Sequence, residues 1–157
     1  MPSREHQDIQ AITSSLGLAL AQAARAHRQR TAEALAPLGL HVGQEMILLQ
    51  LWQQDGLTQV ELARRLRVEE PTVSRALTSL ERAGLLERCR QPGLGRAISV
   101  RLTNKGRALQ EPVAAAWTSV EQRLLTGLLA DERQAAAELL HRIARRLQDN
   151  TEAGGGA

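Results

Sequence analysis

The chain has 157 residues, a length typical of one domain that buries a sizeable core, and its 43% hydrophobic and 24% charged residues are ordinary for a globular protein. Phenylalanine and tyrosine are absent and Cys89 is the single cysteine, which excludes an internal disulfide framework and favours aliphatic packing between helices. The net charge is only +3, but residues 58–107 hold eleven Lys/Arg against five Asp/Glu, which indicates a polyanionic partner for this segment.

Two helices are predicted in the first third of the chain. Apolar residues recur there at spacings of three and four, as on one face of a helix: Ile9, Ile12, Leu16, Ala19 and Ala23. This helix is expected to start near Ser3, to run to Arg30 or Leu35, and to end at residues 37–39. A second helix is predicted over residues 42–54, with an inner side formed by Met46, Leu49 and Trp52–Gln53.

A helix, a turn and a second helix are predicted over residues 58–82. Thr58 and Glu61 form a capping box, which marks the start of the first of these helices. Its buried side is expected to contain Val60, Leu62, Ala63 and Leu66. Residues 67–69 form the turn, and Pro71 suits the start of the next helix because its missing N–H has no partner there. Val73, Leu77 and Leu80 are the predicted core stripe of that helix.

Two strands and two further helices are predicted after this pair. Residues 85–90 and 97–102 read as strands, joined by a Pro/Gly-rich turn at 91–95. Thr103 is expected to cap a helix that Pro112 either kinks or divides. A last helix starts near Ala130.

The resulting fold class is mainly α with a small β-wing, a winged helix-turn-helix with N- and C-terminal dimerisation helices. The predicted boundaries are 1–37 for the first dimerisation helix, 38–103 for the winged lobe, 104–150 for the C-terminal dimerisation helices and 151–157 for a flexible tail. Because a small winged lobe cannot cover two long amphipathic segments, we expect a homodimer.

The helix over residues 70–82 is the expected reader of double-stranded DNA. The side chains that lie away from its core stripe include Thr72, Ser74, Arg75, Thr78 and Arg82. Arg75 is the main candidate for base reading, because its planar fork matches the acceptors of guanine. Arg88 and Arg90 are expected to anchor phosphates, and Arg96 to reach the minor groove. Glu70 stabilises the positive end of this helix or accepts a bond from cytosine.

Other function classes are disfavoured. The four histidines lack metal-ligand spacing, and no phosphate-binding loop, nucleophile elbow or paired-carboxylate site occurs, so neither an enzyme nor a cofactor or metal site is expected. Without a signal peptide or a bilayer-spanning apolar run, a cytoplasmic protein with no membrane partner is expected. The alternative that stays open is a winged-helix protein-interaction module without sequence-specific DNA binding.

The segments LTQVELARRLRVEEPTVSRALTSLERAGLLERC and RAISVRLTNKGRAL resemble the MarR family of bacterial transcriptional regulators. The resemblance implies a dimeric repressor of a pseudo-palindromic operator, in many members released by a phenolic or other aromatic acid. It places the DNA contacts of the recognition helix at Thr72, Ser74, Arg75 and Thr78, and the wing-tip arginine at Arg96. The wing segment Gln91–Arg96 departs from the family pattern. It lacks the two acidic residues that are usual there, and it has one arginine where the pattern has two.

The resemblance also implies a ligand crevice between the dimerisation helices and the DNA-binding lobe. Arg25, His41 and Trp52 are its candidate effector-binding residues, with packing as the alternative for Trp52. The family's peroxide-sensing members carry a cysteine in the first helix, where this chain has none. Cys89 is either an inert side chain or a thiol whose pKa is lowered by Arg88 and Arg90.

Overall fold

The computed structural model describes residues 10–90 and 98–152, which form two compact units divided between Val120 and Glu121. The named elements of the first unit are, in chain order, α1 (Leu16–Leu35), a 3₁₀ turn (Ala36–Leu38), α2 (Gln44–Gln53), α3 (Gln59–Leu66), α4 (Glu70–Arg82), β1 (Leu86–Arg90), β2 (Ile98–Leu102) and the short α5 (Asn104–Ala108). Helix α6 (Gln110–Leu125) begins in the first unit, and helix α7 (Ala130–Glu152) lies in the second. The predicted class, mainly helical with a small sheet, is confirmed.

Helix α1 begins later than the continuous N-terminal helix expected from the apolar stripe. Residues 10–13 are helical, but Ser15 has an extended backbone, and its side chain accepts a hydrogen bond from the Leu18 N–H at 3.2 Å. This is an N-cap, so a new helix starts here and the prediction of one unbroken helix was wrong. The start predicted near Ser3 lies outside the described residues. At the other end, Leu35 is the last residue of α1, and Gly39 follows with a φ of 71°.

Helix α2 is rotated relative to the prediction. Its buried apolar residues are Ile47, Leu48 and Leu51. Met46 is 37% exposed and Gln53 is exposed, whereas Leu49 and Trp52 are only half-buried. The predicted inner side was therefore wrong. Four consecutive apolar residues at 46–49 offer two helical rows, and the core selects the row that faces α3 and α4.

Helices α3 and α4 form the predicted helix-turn-helix. The capping box of α3 is complete, because the Thr58 hydroxyl accepts from the Glu61 N–H while the Glu61 carboxylate accepts from the Thr58 N–H at 2.7 Å. Arg67 ends α3 in the left-handed region, at a φ of 53°. On α3, Leu62 and Ala63 are buried as predicted, but Val60 is 59% exposed, contrary to prediction.

The sheet closes the core of the first unit. Strands β1 and β2 pair antiparallel with Leu86 opposite Leu102 and Arg90 opposite Ile98. The apolar inner side chains of the sheet pack with those of α1 to α4 and with Val113 of α6 in an aliphatic cluster. The predicted turn at 91–95 lies outside the described residues.

Helix α5 is fixed to the sheet by a close backbone approach. Thr103 caps it as predicted, accepting from the Gly106 N–H at 3.1 Å. A Cβ atom on Gly106 would lie 1.9 Å from the Leu85 carbonyl oxygen, so this position admits only glycine without a shift of the backbone. The helical segment is interrupted at Leu109, three residues before Pro112, which confirms the predicted division.

The second unit contains the end of α6, a turn at Gly127 with a φ of 84°, and α7. Glu132 accepts from the Leu129 N–H at 2.8 Å and so caps the start of α7. The sequence predicts Leu140, Ile143 and Leu147 as the inner row of α7. In the single chain Leu140 and Leu147 are 50% and 64% exposed, and Ile143 is half-buried. None of the described helices combines the length and apolar character that crossing a bilayer requires.

Candidate nucleic-acid interface

Helix α4 has one apolar and one polar side. Val73, Leu77 and Leu80 are at most 1% exposed, as the sequence predicts, and hold the helix against the core. The opposite side bears exposed Thr72, Arg75 and Arg82 and half-buried Ser74 and Thr78. One shallow concavity of about 280 Å³ on this side is lined by Ser74, Arg75, Thr78, Ser79 and Arg82.

Arg88 is bound to helix α4 rather than extended into solvent. Its Nη2 atom donates to the Ser74 carbonyl oxygen and to the Thr78 hydroxyl, both at 3.1 Å. The Glu81 carboxylate lies 3.9 Å from its Nε atom, which has no hydrogen-bond partner among the described residues. Two bonds from Nη2 support a brace between β1 and α4, and the role of Arg88 as a phosphate anchor stays a prediction.

Of the other two predicted arginines of the wing, the structure describes only Arg90. Arg90 is exposed at the end of β1, where it is accessible to a phosphate. Arg96 lies outside the described residues, so its minor-groove role stays a prediction.

Two residues that the sequence analysis did not single out belong to this region, Ser79 at the surface and the buried Gln44 behind it. The Gln44 Nε2 atom donates to the Ser79 hydroxyl at 2.9 Å, which connects the first turn of α2 to α4. Ser79 follows Arg75 by four positions, a helical spacing from which its presence on the polar side could have been predicted. No pattern in the sequence indicates Gln44, because a single glutamine is normally a surface residue.

The acids at the start of α4 lie where the sequence analysis expects them. Glu69 is the N-cap residue, although its side chain makes no capping hydrogen bond, and Glu70 lies in the first turn. Negative charge in this turn is favourable because the unpaired N–H groups there carry partial positive charge.

A second polar surface lies between α1 and the loop that precedes α2. Arg25 and His41 line the same open cleft of about 440 Å³, together with Arg28, Gln29, Ala32 and Val42. Trp52, the third predicted effector residue, does not line this cleft. Its indole N–H donates to the Gly106 carbonyl oxygen at 3.1 Å and its ring packs against the core, so packing explains it.

A buried acid lies next to this cleft. The Glu45 carboxylate is 2% exposed and accepts from the Gly43 N–H at 2.6 Å. Burial raises the pKa of Glu45, while hydrogen bonds from backbone N–H groups and the charge of Arg28 oppose that increase. Glu45 therefore links the start of α2 electrostatically to α1.

Cys89 does not have the environment of an activated thiol. Desolvation raises the pKa of Cys89, the neighbouring Glu87 raises it further, and Arg101 opposes both effects. Of the two alternatives for Cys89, the inert side chain is therefore favoured over a thiol activated by Arg88 and Arg90. Among the described residues, no group of three or more His, Cys, Asp or Glu side chains could hold a metal ion.

Comparison with known proteins gives one consistent result. The profile of the MarR family matches residues 40–98. The chain is 31% identical over 128 residues to the HTH-type transcriptional repressor Rv2887 of Mycobacterium tuberculosis, covering 82% of this chain and 92% of that protein. It is 32% identical over 140 residues to the HTH-type transcriptional regulator TtmR of Methylorubrum extorquens, covering 89% of this chain and 71% of that one.

A solved structure agrees with the two relatives. The structure of apo MarR from E. coli superposes with a TM-score of 0.69 at 28% identity, covering 82% of this chain and 96% of that one. The structure thus has a helix-turn-helix, a pair of strands and a polar side on α4, and known MarR-family proteins match most of its length. The chain belongs to the MarR family of transcriptional regulators.

Proposed function

We propose that this protein is a dimeric repressor that binds a pseudo-palindromic operator by placing helix α4 in the major groove. The observation that carries the proposal is the division of α4 into a buried apolar stripe and a polar side with Arg75 and Arg82 exposed. A rigid helix held by its apolar side presents the other side to base edges. The positive charge of residues 58–107 supports a polyanion as the partner.

Exposed apolar side chains support the dimer. In the first unit, Leu16 is 70% exposed on α1. In the second unit, Leu139 and Leu140 on α7 are 47% and 50% exposed. Large exposed apolar side chains on long helices are typical of a subunit interface, and a two-fold pair matches a pseudo-palindromic site.

The test is a selection of bound duplexes from a random pool, followed by titrations at several salt concentrations. Two half-sites with centres about one helical turn apart are expected. The Arg75→Ala variant should lose about 5- to 150-fold in preference for the selected duplex over a scrambled one, since one bidentate base contact contributes about 1–3 kcal/mol of discrimination. Weak, salt-insensitive binding with no enriched sequence would instead support the protein-interaction module.

We further propose that the cleft with Arg25 and His41 takes the effector, an aromatic acid whose carboxylate pairs with Arg25. Salicylate is a suitable probe, and ligand binding should raise the unfolding temperature of the wild-type protein. Arg25→Gln should abolish that increase. Arg30→Gln is the matched control, because Arg30 lies on the same helix but pairs with Glu33 at 2.8 Å and does not line the cleft. Equal stabilisation of both variants by salicylate would refute this site.

A further inference from the structure

The buried side chain of Gln44 bridges two parts of the first unit. It is 7% exposed, and its Oε1 atom accepts from the His41 N–H at 2.9 Å. Its Nε2 atom lies 2.9 Å from the Ser79 hydroxyl on α4. The Gln44 amide therefore connects the loop before α2 to α4, the predicted DNA-reading helix.

The orientation of this amide is fixed by the chemistry of its partners. A backbone N–H can only donate, so the atom of Gln44 that faces His41 must be the oxygen. The nitrogen must then face Ser79, and because an amide nitrogen only donates, the Ser79 hydroxyl must accept. The hydroxyl proton of Ser79 is thereby directed away from Gln44. Among residues 10–90 and 98–152, no acceptor for this proton occurs.

The hydroxyl of the neighbouring Thr78 differs from that of Ser79, because its proton already has an acceptor. The Thr78 hydroxyl donates its proton to the Ser74 carbonyl oxygen at 2.9 Å and accepts from Arg88 at 3.1 Å. Thr78 can donate to DNA only by breaking its bond to Ser74. Phosphate oxygens only accept, so Ser79 is the hydroxyl of this pair that can bind a phosphate without losing an internal bond.

We propose that Ser79 is a DNA contact whose hydroxyl, oriented by the buried Gln44 amide, donates to a phosphate oxygen at the edge of the major groove. Gln44 is then a positioning residue that acts through Ser79. The position supports this assignment, because Ser79 is exposed and shares the concavity of α4 with Arg75 and Arg82. The proposal rests on the proposed DNA-binding function.

The experiment measures the affinity of Ser79→Ala, Gln44→Met and the double variant for a selected duplex and for an unrelated duplex over a salt series. Ser79→Ala should lose roughly tenfold in affinity for both duplexes, since a hydrogen bond to a charged phosphate carries no sequence information. The slope of affinity against salt should be unchanged, because serine displaces no counterion. Gln44→Met should show a similar loss, and the double variant should lose no more than Ser79→Ala alone.

Matched controls are Ser119→Ala on α6 and Gln53→Met at the exposed end of α2, both of which should bind like the wild type. Thermal unfolding of each variant reports any loss of fold separately from DNA binding. Wild-type affinity of Ser79→Ala overturns the proposal, and additive losses in the double variant overturn the role of Gln44. A loss confined to the selected duplex would assign Ser79 to a base edge and overturn the phosphate contact. If the wild type binds no duplex, the proposed function itself fails.

Discussion

Replacing Arg88 by methionine separates a bracing role from a phosphate-binding role, because methionine keeps most of the aliphatic stem and removes the charged head. The head makes two hydrogen bonds to α4, and the side chain is 27% exposed. A hydrogen bond from a charged donor contributes about 1.5–3 kcal/mol. Since one nitrogen serves both acceptors and solvent screens part of the charge, we expect a total loss of about 2 kcal/mol in the free energy of unfolding. For a chain of this size that corresponds to a decrease of about 4–8 °C in Tm.

Urea unfolding and duplex titrations over a salt series measure the two roles independently. If Arg88 is a brace, Arg88→Met should lose stability while the slope of its affinity against salt stays unchanged. Its affinity should also fall more for the selected duplex than for a scrambled one. The exposed Arg90 is the matched control, because Arg90→Met should leave stability unchanged and decrease the slope by about 0.9 if it binds a phosphate. Unchanged stability of Arg88→Met together with a decrease of that size in its slope would refute the bracing role.

Three further outcomes are expected from the same structure. Gly106→Ala should decrease the free energy of unfolding by about 1–3 kcal/mol in urea titrations, because its Cβ would collide with the backbone at Leu85. Hydrogen bonds from Thr58 lower the pKa of Glu61 in the folded protein. The wild type should therefore be more stable than Glu61→Gln above the pKa that Glu61 has in the unfolded chain, and this difference should disappear as the pH falls through the lower folded pKa. A difference that grows in acid would contradict this. Cys89 should react with iodoacetamide at neutral pH more slowly than a free cysteine, since desolvation raises its pKa, and faster alkylation would contradict that account.

The parts of the fold that sequence could predict are those in which local signals agree. The capping box at Thr58 and the stripe of Val73, Leu77 and Leu80 fix the start of α3 and the rotation of α4 with residues close in the chain. On α2 the local pattern is ambiguous, because the apolar run 46–49 fits two helical rows. Only packing against other elements decides between them.

The interface residues that sequence could not predict depend on contacts between distant positions. The alternation of a strand places Arg88 and Arg90 on one side, but the bonds of Arg88 to α4 join residues ten and fourteen positions apart. The bond between Gln44 and Ser79 spans 35 positions. Neither leaves a spacing pattern, since each depends on how whole elements pack.

The contact of Gly106 with Leu85 has a mechanical consequence. The same glycine accepts the Trp52 indole N–H, so the first turn of α5 is tied at once to the sheet and to α2. These contacts fix the backbone between residues 103 and 106. The chain stays attached to the same core beyond the interruption at Leu109, because Val113 on α6 is fully buried there. A residue larger than glycine at position 106 should therefore loosen the sheet and α2 together, and not one of them alone.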